Sequence, residues 1–598
     1  MKERLRSEIE EKYKWDLSKF CKSNEEFYAR LKNCEKFVKK LEKFKGKLGQ
    51  KTFLREFYDE LNKSDEEFYD LYMYADHHAN EDMANSEFAA MSTQIMNFAA
   101  KLSENLAFYE PEMLKYSEEY LLDVANDPQF KDESFFIKKL LRKHEHTLSE
   151  KEEKLLSGTG TFAGDFREIM ETYFAVNMVC EDAVDSKGQT HSVSDRTLSM
   201  HLFSPDRTLR KNAMLSHNKA IDNINTTMSK VYIASLKKDA FFAKAKKFNN
   251  SLEAKLFADD IDEAVYDRLL RNARSRLDIV GRYYATKAQV LGYDGLKPWD
   301  RLCPMVTSDK KYTFDMCCDL LRKALLPLGE RYVANFDRAI KERWIDVYPN
   351  KNKRGGAYQS GAYGRTPIIL ANYTDDYNSV GTIAHEFGHA MHSVIADSAQ
   401  GRNSSDYTIF CAEIASTTNE VLLNQYCLNS ADTIRQKMFF LDSFIKDFIS
   451  TFFRQAMFAE FERFAHNLVD NNLPISDKIL NDEYARLNRE YLPNMSETDI
   501  LAGGWVSVPH FYSKFYVWQY STGIVCAINF ASKILNKEPN ALENYYNFLR
   551  AGGSDYSLNI LRKCGIDLET DEPYKVAFDF VEKNLVELER LAKIVNVK

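Results

Sequence analysis

Apolar positions recur three and four residues apart through most of this chain, the spacing of amphipathic helices with one buried face. Phe27 and Leu31, four apart within the Glu- and Lys-rich stretch Asn24–Cys34, set the pattern, and residues 1 to about 200 read as a succession of such helices. Two soft breaks fall at Ser157-Gly158-Thr159-Gly160-Thr161 and at Asp185-Ser186-Lys187-Gly188. No hydrophobic strand precedes the first, so its Gly-x-Gly reads as a turn and not as a phosphate loop. Helices follow from about 204 to 345, interrupted at Gly295–Asp300 and Cys303-Pro304. Residues 353–373 differ: glycines give way to β-branched and apolar residues, which predicts strands, with Pro367 at a strand start or an edge. The helical pattern resumes at about 378 and runs to the C-terminus. Phe515–Ser532 is its greasiest stretch, but Gln519, Ser521, Thr522, Gly523 and Asn529 make it a buried helix and not a membrane span.

Composition agrees with helix. Proline, 13 of 598 residues, is about 2% against a usual ~5%. The length implies two or more domains, divided here into an N-terminal helical lobe, 1–200, and a catalytic segment, 201–598. A net charge of −8 favours solubility, and no basic tail suggests nucleic acid. Ten cysteines without a C-x-x-C pair indicate neither a zinc ribbon nor a disulfide framework. The charged N-terminus lacks a signal-peptide core. These features predict a cytoplasmic protein with no membrane, nucleic-acid or obligate protein partner.

The chemistry gathers at His385-Glu386-Phe387-Gly388-His389. Asp375–Ser379 supplies helix N-cap candidates, and Val380, Ile383, Ala384, Phe387, Met391 and Val394 form an apolar stripe beyond it. On that helix the two histidines stand about 40° apart around the axis and about 6 Å along it, so both imidazoles can grip one zinc ion. Glu386 can reach the water on that ion without being a ligand. Such a water has a pKa of roughly 7, and a neighbouring carboxylate can take its proton and pass it to the departing amine.

A catalytic zinc needs a third protein ligand. Phe410–Leu423 reads as a second helix on which Glu413 and Glu420, seven apart, lie nearly in line. One can ligate and the other can hydrogen-bond a ligand histidine from behind, and spacing alone barely orders them. His392, three residues past His389, is open to three readings: ligand, partner of a ligand, or packed core histidine.

His385–His392 together with Phe410–Ser416 closely resembles the oligoendopeptidase F family, of the thimet-oligopeptidase-like zinc metallopeptidases. Tyr13–Leu17, His146–Leu156, Ser204–Ala213, Lys353–Tyr358 and Ile368–Tyr373 also look like that family, so the likeness spans nearly the whole chain. The resemblance implies a mainly α protein whose two helical lobes enclose a deep substrate channel, with a small β-sheet beside the zinc-binding helix. It implies one zinc per chain held by His385, His389 and Glu413, Glu386 as base, Glu420 behind a ligand, and His392 outside the ligand set. Substrates would be short, unfolded oligopeptides.

Gly355, Gly356, Ala357 and Tyr358 resemble the family's edge strand, along which a substrate backbone pairs with little side-chain preference. Gly503–Tyr520 resembles the segment carrying oxyanion-stabilising donors. Tyr512, Tyr516 and Tyr520 recur every four residues and are expected on one helix face. His510 and Tyr516, then Tyr512, are the favoured donors. Two other functions fit less well. A zinc carboxypeptidase or dipeptidyl carboxypeptidase needs a cationic pocket, for which Lys353, Arg354 and Arg365 are candidates. A catalytically silent peptide-binding protein has no use for the intact Glu386.

Overall fold

The computed structural model describes residues 4–159 and 162–596, which are mainly helical with two small sheets. Gly160 and Thr161 of the expected turn lie outside the described residues, and Gly158 ends the helix Glu150–Gly158. Contacts divide the chain into two compact units. The first comprises 1–147, 310–423 and 533–565, and the second 148–309, 424–532 and 566–598. This grouping differs from a division at residue 200, because each unit draws its core from segments far apart in sequence.

The first unit opens with the helices Asn24–Leu41, Lys51–Glu81 and Ser86–Leu106. Ser23 caps the first by accepting from the Glu26 N–H at 3.2 Å. Phe27 is fully buried and Leu31 packs against the same cluster, the stripe their spacing predicts. That cluster gathers Leu54, Leu71, Met91 and Ile95 and reaches far along the chain to Ile368 and Leu370. Those two belong to a three-stranded sheet of β3 (Ile345–Asp346), β4 (Tyr358–Ser360) and β5 (Ile368–Leu370), in spatial order β3-β5-β4. Pro367 sits immediately before β5. β5 runs parallel to β3 and antiparallel to β4, with Gln359 opposite Ile369. β4 is therefore an edge. Its Tyr358 is anchored from behind, the hydroxyl 3.0 Å from both His77 Nδ1 and Asn80 Nδ2.

The second unit is arranged around the long helix Arg207–Ala245, capped by Asp206 and packed on Arg454–Asp470 and Asp477–Tyr491. Near its start the buried Arg210 pairs with Asp300 at 2.8 Å. Here β1 (Ala183–Val184) and β2 (Thr190–His191) form a hairpin, with Gly188 at φ 80° in the turn that Asp185–Gly188 predicts. Ile434–Phe448 continues through a π-helical turn, Ile449–Phe453, into Arg454–Asp470. The apolar stretch forms the helix Trp518–Leu535, mostly buried. No helix among the described residues is long and apolar enough to cross a membrane.

Candidate active site

The motif helix, Tyr377–Ala399, starts where Asp376 accepts from the Ser379 N–H at 2.7 Å. Its apolar stripe (Val380, Ile383, Ala384, Phe387, Met391) is buried. A second helix, Ile409–Asn429, carries both candidate glutamates. The two helices meet at Gly388, where a Cβ would stand 2.5 Å from Ser416 Cα and 2.7 Å from the Ala415 carbonyl oxygen. A buried bridge ties them one turn away. Asn419 Nδ2 donates to the Ala384 carbonyl at 3.0 Å, while Asn419 Oδ1 accepts from the Tyr332 hydroxyl at 3.0 Å. Neither contact is announced by sequence spacing, although glycine opposite Ala415-Ser416 is the composition that close helix approach requires.

This approach brings three donors together. His385 Nε2 lies 3.2 Å from His389 Nε2 and 3.3 Å from Glu413 Oε2, and His389 Nε2 lies 3.7 Å from the same oxygen. Tetrahedral donors bound at roughly 2.0–2.2 Å stand roughly 3.3–3.6 Å from one another, so the spacing fits one metal ion. The chemistry fits as well. Two imidazole nitrogens that face each other at hydrogen-bond distance need a shared proton or a cation between their lone pairs. Among the described residues, His385, His389 and Glu413 form the one such cluster of ligand side chains.

Around the donors, Glu420 Oε2 stands 3.3 Å from His385 Nδ1, on the side of the ring away from Glu413. A proton held on Nδ1 by that contact would free the Nε2 lone pair for a ligand. His392 is a packed core histidine: its ring stacks on Tyr407 at 3.6 Å with 4° between planes, and burial draws its pKa down to about 3. The Tyr407 hydroxyl donates to the His389 carbonyl oxygen at 3.2 Å and so braces the helix behind the second histidine. Burial pushes the Glu386 carboxyl up to about 7, with His385 and the Gln359 backbone N–H of β4 pulling the other way. Burial acts likewise on Glu413, but with a proton on His385 Nε2 in place of a metal, the hydrogen bond and charge of that ring hold it down at about 2.

The expected peptide-binding segment is divided. Tyr358 lies in the edge strand, while Gly355, Gly356 and Ala357 form the bend leading into it, with Gly356 at φ 79°. The cations offered for a carboxypeptidase pocket are mostly committed. Lys353 is buried against Asp346 at 2.6 Å, and Arg365 pairs with Asp70 at 2.6 Å.

In the second unit, residues 503–517 correct the helical expectation. Gly504–Ser507 and Pro509–Tyr512 are short 3-10 turns, Phe515 has φ 48°, and the helix begins only at Trp518. The tyrosines spaced by four therefore do not share a helix face. A proline and a left-handed residue break the run that aromatic spacing suggested. His510, Tyr516 and Tyr520 still cluster, with ring centroids 5.4–6.0 Å apart. Tyr512 turns away to pack edge-on against Tyr232 at 5.6 Å.

The His-x-x-x-His pair with a glutamate on an adjoining helix matches the two-histidine, one-glutamate donor set of zinc metallopeptidases. The chain belongs to Peptidase family M3, whose model matches residues 200–580, and residues 112–178 match the model described as Oligopeptidase F. It is 33% identical to the oligopeptidase PepF of Bacillus subtilis over 98% of this chain and 88% of the relative. Group B oligopeptidase PepB of Streptococcus agalactiae is 32% identical, with 98% of each chain covered. The crystal structure of oligoendopeptidase-F from Enterococcus faecium superposes with a TM-score of 0.74 at 27% identity, over 95% of this chain and 99% of that one.

Proposed function

We propose that this peptidase is a zinc-dependent endopeptidase that hydrolyses short, unfolded oligopeptides and holds one zinc ion per chain. The observation that carries the reading is the convergence of His385 Nε2, His389 Nε2 and Glu413 Oε2 at the spacing of a tetrahedral donor set. Two imidazoles and one carboxylate suit zinc, which when bound supplies Lewis acidity toward a water and the scissile carbonyl.

The protein's own groups do the rest. Glu386 accepts the proton of the attacking water on its carboxylate and delivers it to the nitrogen of the departing amine. Glu420 keeps the His385 ring turned with its Nε2 lone pair toward the donor set. The outer edge of β4, with Gly355–Ala357 leading into it, offers main-chain donors and acceptors to an extended peptide. His510 and Tyr516 supply donors to the carbonyl oxygen as negative charge grows there. Tyr512, packed against Tyr232, ranks behind them. The names of the relatives support oligopeptides as the substrate class. A cytoplasmic location suits ten cysteines without a disulfide framework.

The test is a quenched peptide with an amidated C-terminus, assayed with wild type and Glu386→Gln while metal content is measured. Wild type should contain one zinc, lose activity on chelation and regain it with zinc. The variant should keep its zinc and lose turnover by roughly 10²–10⁴-fold. Failure to cut the amidated peptide while cutting its free acid would make the enzyme a carboxypeptidase. Undiminished turnover by the variant would remove Glu386 from the base role.

A further inference from the structure

Within the second unit lies a cavity that the peptide chemistry does not use. It sits at the π-helical turn Ile449–Phe453, a helix irregularity frequent at functional sites. Arg301, Lys446 and Arg454 line it together with Tyr284, Ser450 and Asn488, and no acidic side chain is among its lining residues. The nearby carboxylates face elsewhere. Asp442 accepts from the Tyr283 hydroxyl at 2.8 Å and the Met305 N–H at 3.0 Å. Glu460 pairs with Arg274 and accepts from the Tyr491 hydroxyl at 3.1 Å. Glu490 pairs with Arg486 at 2.7 Å and Arg274 at 2.9 Å.

None of the three cations forms an ion pair among the described residues, although Asp447 is close enough to act on the lining Tyr283. The Arg454 guanidinium rests over Phe458, 5.1 Å from the ring centroid, and the Lys446 ammonium over Phe203 at 5.6 Å. The charge that bears most on Arg454 is Arg301, of the same sign, and burial with that neighbour draws the Arg454 guanidinium down to about 10. Three half-buried cations lining one cavity create a positive potential there that an anion relieves. The space open to the centre of a water-sized sphere is about 30 Å³, where one water needs roughly 10–15 Å³. That admits a small ion and excludes a peptide. Guanidinium forks match the paired oxygens of carboxylate and phosphate, and Ser450, Asn488 and Tyr284 add neutral polar groups.

We propose that this cavity binds a small oxyanion, phosphate-sized or smaller, between Arg301 and Arg454. The inference is independent of the endopeptidase reading, since its readout is binding and stability. The intact chain, both as purified and after metal removal so that binding at the metal site is told apart, is titrated with inorganic phosphate against chloride at matched ionic strength, by equilibrium dialysis and by thermal melting. Acetate in a parallel series distinguishes a carboxylate from a phosphate ligand. Saturable binding of one oxyanion per chain is expected, with a melting temperature that rises with its concentration. Affinity should fall at least tenfold in Arg454→Met and also fall in Arg454→Lys, which keeps the charge but loses the fork. The surface variant Arg338→Gln should bind as wild type does. If Arg454→Met does not fold, Arg454→Lys and Arg301→Lys decide the matter. Chloride acting as well as phosphate and acetate, or variants at Arg301 and Arg454 responding like wild type, would overturn the proposal.

Discussion

Gly388 and Ser416 touch backbone to backbone: a Cβ on the glycine would stand 2.5 Å from the serine Cα. The two helices that carry the proposed metal donors therefore leave no room for a side chain at this position, and Glu413 lies less than one turn from the contact. Gly388→Ala must push them apart. We expect a loss of roughly 1–3 kcal/mol of stability, as for other overpacked sites, and weaker metal binding as Glu413 retreats from the histidines. Thermal melts and metal titration check both. A variant that melts and binds metal like wild type would mean the helices can part freely.

The Glu386 carboxyl is pushed up to about 7 by burial, against the downward pull of His385 and the Gln359 N–H. A bound divalent cation adds a second downward pull. A base works only when deprotonated, so kcat/KM should rise with pH along a single-proton limb. That limb should lie above the ordinary glutamate value of about 4.3 and no higher than about 7. The limb should be absent from the residual activity of Glu386→Gln. A pH–rate profile in a constant-ionic-strength buffer reads it directly.

Glu420 approaches His385 Nδ1 at 3.3 Å. Removing it in Glu420→Ala frees the ring to rotate and to change tautomer. Metal affinity should drop roughly 10–100-fold, while Glu420→Gln, which keeps a hydrogen-bonding oxygen, should lose less. Competition with a metal-indicator dye separates the two variants. Equal affinity in all three proteins would leave Glu420 an idle surface charge.

Glu462, fully buried, accepts from the Phe515 N–H, and its second oxygen has no partner. Burial raises its pKa well above the ordinary value. The folded state then holds a proton that the unfolded chain releases above about pH 4.3. Folding therefore takes up a proton, and this group's contribution to stability declines as pH rises from there toward the folded pKa. Glu462→Gln, a neutral shape match, should melt higher than wild type at pH 8 and show a flatter dependence of stability on pH between 5 and 8. Melting curves across that range decide it.

The motif helix of the candidate site was legible because its signals are local. The cap at Asp376, the apolar stripe and the i, i+4 histidines all express one helical period, and the helix follows it. Ranking Glu413 over Glu420 was not legible from spacing, since seven residues bring both to one line. Their order depends on which nitrogen of His385 each faces. The 503–517 segment misled for the converse reason. Tyrosines at helical intervals carry no memory of Pro509 or of the left-handed Phe515, which divert the backbone between them. The grouping into units was illegible because no change in composition marks the crossings near residues 147, 309 and 423.

The core shared by the first helices with Ile368 and Leu370 has a consequence for synthesis. Helices built from residues 24–106 leave the ribosome long before β5, and residues 533–565 complete their unit later still. From residue 106 to Leu370 is 264 residues, so at ~5–20 residues per second the wait for β5 is about 13–53 seconds. For that interval a nascent chain carries greasy helix flanks whose natural cover has not yet been translated, which makes it a customer for holding chaperones.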